Sequence, residues 1–142
     1  MRNPRRLPFS IGWVAASAVL TLLMGACSDK PETIDQGEVA ARTAKIYYDS
    51  LAAGRYACFY DGKLKPDTIP DTYRRQMIAM LRQYTDNERE RHKGIDSVHI
   101  SRYQYVPKTQ TADVFLTLVY GDSTREQIVV PMVKRDSVWY MR

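Results

Sequence analysis

The chain is short of the residues that build metal sites and cross-linked scaffolds. Among 142 positions there are two cysteines and two histidines. Two cysteines exclude a disulfide-dense secreted fold. The histidines, His92 in a charged stretch and His99 in an alternating one, do not make a structural zinc site. Seven glycines and seven prolines exclude collagen-like and low-complexity chains. HExxH, CxxC, a glycine-rich phosphate loop and Gly-x-Ser-x-Gly are all missing, so no metal or cofactor is expected. No carboxylate stands convincingly within an apolar strand face, so no general acid or base is nominated and the expected number of catalytic residues is none. No acidic residue precedes Asp29, whereas Arg2, Arg5 and Arg6 all fall in the first six positions. Taking these three from the 21 basic residues leaves 18 against 16 acidic ones, a net charge of +2. That balance removes the reason to expect nucleic-acid binding.

The apolar run Ile11–Met24 (IGWVAASAVLTLLM) carries no charge but is shorter than the ~20 residues a membrane-spanning helix needs. A basic start, a short apolar core and small residues at its end describe a secretory signal peptide over residues 1–26. Its last residues, Leu22-Leu23-Met24-Gly25-Ala26-Cys27, resemble the lipobox of bacterial lipoproteins. The match rests on Gly25, Ala26 and Cys27; Met24 stands where that family prefers leucine. The resemblance implies a diacylglycerol on the Cys27 sulfur, cleavage before that residue, and membrane attachment through the lipid. Two or three acyl chains give stable anchoring, since each buried methylene contributes about 0.8 kcal/mol. Ser28 directly after the cysteine resembles lipoproteins sent to the outer membrane of Gram-negative bacteria, on either its periplasmic or its surface face. With Cys27 lipidated, Cys58 is the remaining thiol. It is expected to be buried among Tyr56, Phe59 and Tyr60 as a small hydrophobe.

Residues 27–35 read as the lipidated cysteine and a tether, and residues 36–142 as one α+β domain. Asp35 with Glu38 makes a capping-box pattern. Val39, Thr43, Ile46, Tyr47 and Leu51 then recur at helical spacing, and Gly54 ends the helix. Tyr56–Tyr60 reads as one or two helical turns. Pro70-Asp71 opens a second long helix with an apolar stripe of Tyr73, Met77, Met80, Leu81 and Tyr84, and the polar DNERERHK run either extends it or forms a loop. From Ile95 the period becomes two. Strands are expected over Val98–Val106, Ala112–Tyr120, Arg125–Val133 and Ser137–Met141, joined as antiparallel hairpins. Pro131, lacking a donor, points to an edge or a bulge.

Helices followed by a four-stranded antiparallel sheet make an α+β chain. The Val39–Leu51 helix with its Ala-Gly ending, the Tyr73–Tyr84 helix and the closing Val138-Trp139-Tyr140 resemble the cone-shaped, cystatin-like fold of the nuclear-transport-factor-like superfamily, in its small lipoprotein branch of unknown function. That superfamily holds isomerases, dehydratases and hydrolases beside binding and scaffold domains, and its enzymes place an Asp, His or Tyr inside the cone. Strict alternation puts His99 on one face with Ser97, Ser101, Tyr103 and Tyr105, opposite Val98, Ile100 and Val106. Such a face either lines a pocket mouth, with His99 and Tyr103 as hydrogen-bonding groups, or is solvated. Candidate ligand-binding residues are therefore His99, Tyr103, Tyr105 and Tyr120. Three functions follow: a non-catalytic, lipid-anchored binder of a small molecule or an envelope protein; a small enzyme using His99 and Tyr103; or a structural protein dimerising through an exposed tyrosine patch on the sheet.

Overall fold

The computed structural model describes residues 33–142. The expected signal peptide (1–26), the lipid-accepting Cys27 and the tether as far as residue 32 lie outside the described residues.

Helix α1 spans Gln36–Ala52, and its entry is capped as expected. The Asp35 carboxylate accepts the backbone N–H of Gly37 at 2.8 Å and of Glu38 at 3.3 Å. The reciprocal half of the capping box does not form, because the Glu38 side chain pairs with Arg42 one turn on. Gly54 ends the helix at φ +75°, its N–H bonded to Leu51 and the next N–H, of Arg55, to Ser50. A short helix α2, Tyr56–Asp61, buries Phe59 and Tyr60. It turns Cys58 outward, which corrects the expected burial: the thiol is exposed. In a helix of six residues only one side can face the core, and Phe59 and Tyr60 occupy it.

Helix α3, Asp71–His92, runs through most of the polar stretch. Its apolar stripe is not the core element expected from spacing. Tyr73, Met80 and Tyr84 are 50%, 55% and 40% exposed, and the one buried residue is Thr85. The sheet is already covered by α1, so α3 packs along a narrow edge. There Tyr56 Oη meets Thr85 Oγ1 at 2.7 Å.

Strands β1 (Ile95–Val106), β2 (Thr111–Tyr120), β3 (Arg125–Arg135) and β4 (Val138–Met141) form one sheet in chain order, each pair antiparallel. Asp136 and Ser137 link the last two with φ +47° and +67°, as a two-residue hairpin turn requires. Strand β4 pairs with β3 only from Met132 to Arg135, so Pro131 stands where β3 becomes an edge. The inner face of the sheet carries Val98, Ala112, Val114, Leu116, Leu118, Val130, Met132, Trp139 and Met141, all buried.

The helix face that meets this surface is partly the expected one: Leu51 is buried and Val39 and Tyr47 pack against the core, but the contact is shifted toward alanines. Ile46 is 58% exposed, whereas Ala40, Ala41 and Ala44 are fully buried. Small side chains let the α1 backbone approach the strands, and the gain comes from close dispersion contact. At Gly37 the approach is so tight that a Cβ would lie 2.7 Å from the Tyr103 ring.

Candidate functional site

One extra residue in β1 decides which side chains can share a site. Val98, His99 and Ile100 pair with Leu118, Thr117 and Leu116, but Arg102 pairs with Phe115 and Tyr103 with Val114. The register shifts between Ile100 and Arg102, so Ser101 is the unpaired residue of a β-bulge. Beyond a bulge the alternation inverts. Tyr103 and Tyr105 therefore turn to the inner, helix-covered face, while His99 stays on the outer face with Ser97, Arg102 and Gln104. The single face expected for His99, Tyr103 and Tyr105 does not exist. His99 is exposed and its Nε2 pairs with Ser97 Oγ at 3.1 Å. A catalytic pair of His99 and Tyr103 is ruled out by this placement, and no tyrosine patch formed by Tyr103, Tyr105 and Tyr120 lies on the outer face.

The three tyrosines are also divided along the cone. Tyr103 Oη donates to Asp35 at 2.7 Å, and Tyr105 packs edge-on against Trp139 with ring centroids 5.9 Å apart, both at the N-terminal end of α1. Tyr120 is six residues along β2 from the partner of Tyr103, roughly 20 Å away.

Around Tyr120 the apolar inner face gives way to a polar, aromatic cluster. Glu126 pairs with Leu118 in register and shares the inner face with Ile128, Val130 and Met132. Tyr120 Oη donates to Glu126 Oε2 at 2.7 Å. Tyr84 from α3 and Tyr48 from α1 approach from the helical side. Burial is the main cause that raises the hydroxyl pKa of all three tyrosines. The charged groups that raise them further are Glu126, acting on each, and Glu88, acting on Tyr84. Their hydroxyls therefore stay protonated at neutral pH. Among the described residues Glu126 has no ion-pair partner.

Behind Tyr120 the end of α3 is fastened to the β2–β3 turn. The His92 ring lies 5.1 Å from that of Tyr120, and His92 Nδ1 pairs with Asp122 Oδ2 at 2.9 Å. The bond to His92 and the Thr124 N–H hold the Asp122 carboxyl down at about 2. A cavity of about 190 Å³ lies at the α3–β1 turn, lined in part by Thr85, Glu88 and Ile95; Ile95 is the register partner of Tyr120. Among the described residues no group of three His, Cys, Asp or Glu side chains could hold a metal ion, and no helix is long and apolar enough to cross a membrane.

Of the expected site residues, Tyr120 alone sits in this cluster. Glu126 was missed by sequence reasoning, although the alternation Glu126, Ile128, Val130, Met132 already placed it on the core face. Tyr84 read as part of an apolar stripe and Tyr48 was not singled out, because helical spacing says nothing about which strand a side chain meets.

No protein-family model matches the chain, and no curated protein is similar to it in sequence. A solved structure does match: a candidate NTF2-like transpeptidase from Campylobacter jejuni, with a TM-score of 0.57 and 13% identity, over 70% of this chain and 94% of that one. At that identity the likeness shows the fold alone. The domain is an α+β cone of the NTF2-like kind, with helices first and a four-stranded antiparallel sheet after them.

Proposed function

We propose that the chain is a lipid-anchored envelope protein whose cone domain binds a small ligand without transforming it. The lipid would sit on Cys27 and hold the domain at the outer membrane through a tether of residues 27–35. The binding end would be the cluster of Tyr48, Tyr84, Tyr120 and Glu126. One observation carries this reading: a carboxylate and three tyrosine rings converge where the apolar inner face ends, and among the described residues no basic side chain pairs with that carboxylate. Such a cluster suits an amine or another group rich in N–H donors. Its charge meets Glu126 and its body meets the ring faces.

The test titrates residues 33–142, which form one compact unit, with a panel of alkyl- and arylammonium ions while the tyrosine resonances are followed. Saturable shifts at Tyr84 and Tyr120 that vanish in Glu126→Gln are the expected result. A flat response across the panel defeats the ligand reading. For the anchor, Cys27→Ala should abolish fatty-acid labelling of the full chain; unchanged labelling defeats the lipobox reading.

A further inference from the structure

Arg125 and Glu126 are neighbours in sequence but open β3 on opposite faces of the sheet. Glu126 belongs to the inner cluster described above. Arg125 stands on the outer face as the partner of Val119, which in turn pairs with Ser97. The next rung on that face is His99–Thr117–Gln127. His99, Arg125 and Gln127 are exposed, as are Arg102, Gln104 and Val129 further along the same face, so no helix among the described residues covers it. Thr117 Oγ1 is held by the bulged Ser101 at 2.7 Å, and His99 by Ser97. A groove of about 320 Å³ opens here, lined by His99, Thr117, Val119 and Arg125.

Arg125 has no ion-pair partner among the described residues. One rung beyond His99, the Arg102 guanidinium lies 3.7 Å from the Phe115 ring centre, which adds a second guanidinium. Exposed Asp96, unpaired in the register shift between Ile95 and Ser97, flanks the Ser97 end of the groove; the nearest register-paired carboxylate on the outer face is Asp113. It lies four residues along β2 from Thr117, roughly 13 Å. An imidazole, a guanidinium and a hydroxyl thus surround a shallow groove with an aliphatic floor at Val119. Donors of this kind recognise oxyanions, and a guanidinium beside a second donor suits a phosphoryl group.

We propose that the outer-face groove between His99, Thr117 and Arg125 is a binding site for a phosphate group, separate from the inner tyrosine cluster. Arg125 supplies the charge, while His99 and Thr117 supply directed hydrogen bonds. The groove is open on one side, which leaves room for the remainder of a phosphorylated molecule to extend over Val119.

The experiment uses residues 33–142 at constant ionic strength, with inorganic phosphate as the probe and the His99 ring and Arg125 side-chain resonances as the readout. Saturable shifts are expected, with affinity lowered roughly tenfold in Arg125→Gln and again in His99→Gln. Arg75→Gln, which removes an equal charge from the exposed side of α3, should bind like the parent. A parallel arm offers vesicles containing phosphatidylglycerol. If the Arg125-dependent response occurs with vesicles and not with free phosphate, the phosphate belongs to a lipid headgroup. No saturation in either arm overturns the proposal, as does an equal loss in Arg75→Gln and Arg125→Gln. Because the readout is on the opposite face from Tyr120, failure here leaves the ammonium titration intact, and the reverse holds as well.

Discussion

Tyr103 donates its hydroxyl hydrogen to Asp35 across 2.7 Å and sixty-eight residues of sequence. The same Asp35 carboxylate caps α1, so one side chain fixes the start of the helix and its seat on β1. The Tyr103 hydrogen bond, with the cap, holds the Asp35 carboxyl below its ordinary range, and the Tyr103 hydroxyl is raised in return. Asp35→Ala should therefore lower the urea midpoint more than Tyr103→Phe, because it loses the cap as well as the bond. Equal midpoints in the two variants would mean that the cap contributes nothing.

Gly37 is set by the same contact. An added Cβ meets the Tyr103 ring at 2.7 Å and Tyr105 Cβ at 3.0 Å. Gly37→Ala should cost about 1–3 kcal/mol by overpacking. Most of that cost should return when Tyr103→Ala removes the ring. A double-mutant cycle measures the coupling, and additive losses would refute it.

Inserting one alanine after Ser101 tests the facing of this end of β1. Deleting Ser101 would leave Arg102 opposite Phe115 and Tyr103 opposite Val114, whereas one more residue turns Tyr103 and Tyr105 outward and Arg102 and Gln104 to the helix-facing side. The expected loss exceeds about 4 kcal/mol, in the range reserved for core disruption. An insertion variant that melts like the parent in circular dichroism would show that the inversion has no energetic weight.

The His92–Asp122 pair gives a pH signature. Asp122 titrates near 2 in the folded chain, below its ordinary value of about 3.9. A depressed carboxyl adds stability that is fully present above its unfolded value and is lost as pH falls through the folded one. Stability should drop between pH 4 and pH 2, and Asp122→Asn should make that drop shallower. Urea midpoints at pH 5, 4, 3 and 2 provide the check, and an unaltered profile in the variant would exclude the pair as the cause.

Cys58 is exposed, so a thiol reagent should modify it in native residues 33–142 about as fast as in the urea-unfolded chain. Protection by more than about a hundredfold would restore the buried placement read from its aromatic neighbours.

Much of the architecture is local, and for that reason legible. Asp35, Gly54 and Pro70 bound the helices through caps and forbidden conformations that act within a few residues. The change of period at Ile95 announces the sheet, and a tight turn is read at Arg135-Asp136, one residue before its observed place at Asp136-Ser137. The candidate site was far less legible. Glu126 could be placed on the core face by counting in twos. His99 could not be separated from Tyr103 in the same way, because counting assumes an unbroken ladder.

The amino-acid order by itself determined the element sequence, the antiparallel meander and the amphipathic period of each segment, since hydrogen-bonding geometry imposes periods of 3.6 and two along the chain. Only tertiary structure decided which face each element turned inward. On α1, alanines rather than Ile46 met the sheet because close approach outweighs side-chain size. A single unpaired serine reversed the end of β1, and Tyr48, Tyr84, Tyr120 and Glu126 gathered from four separate elements.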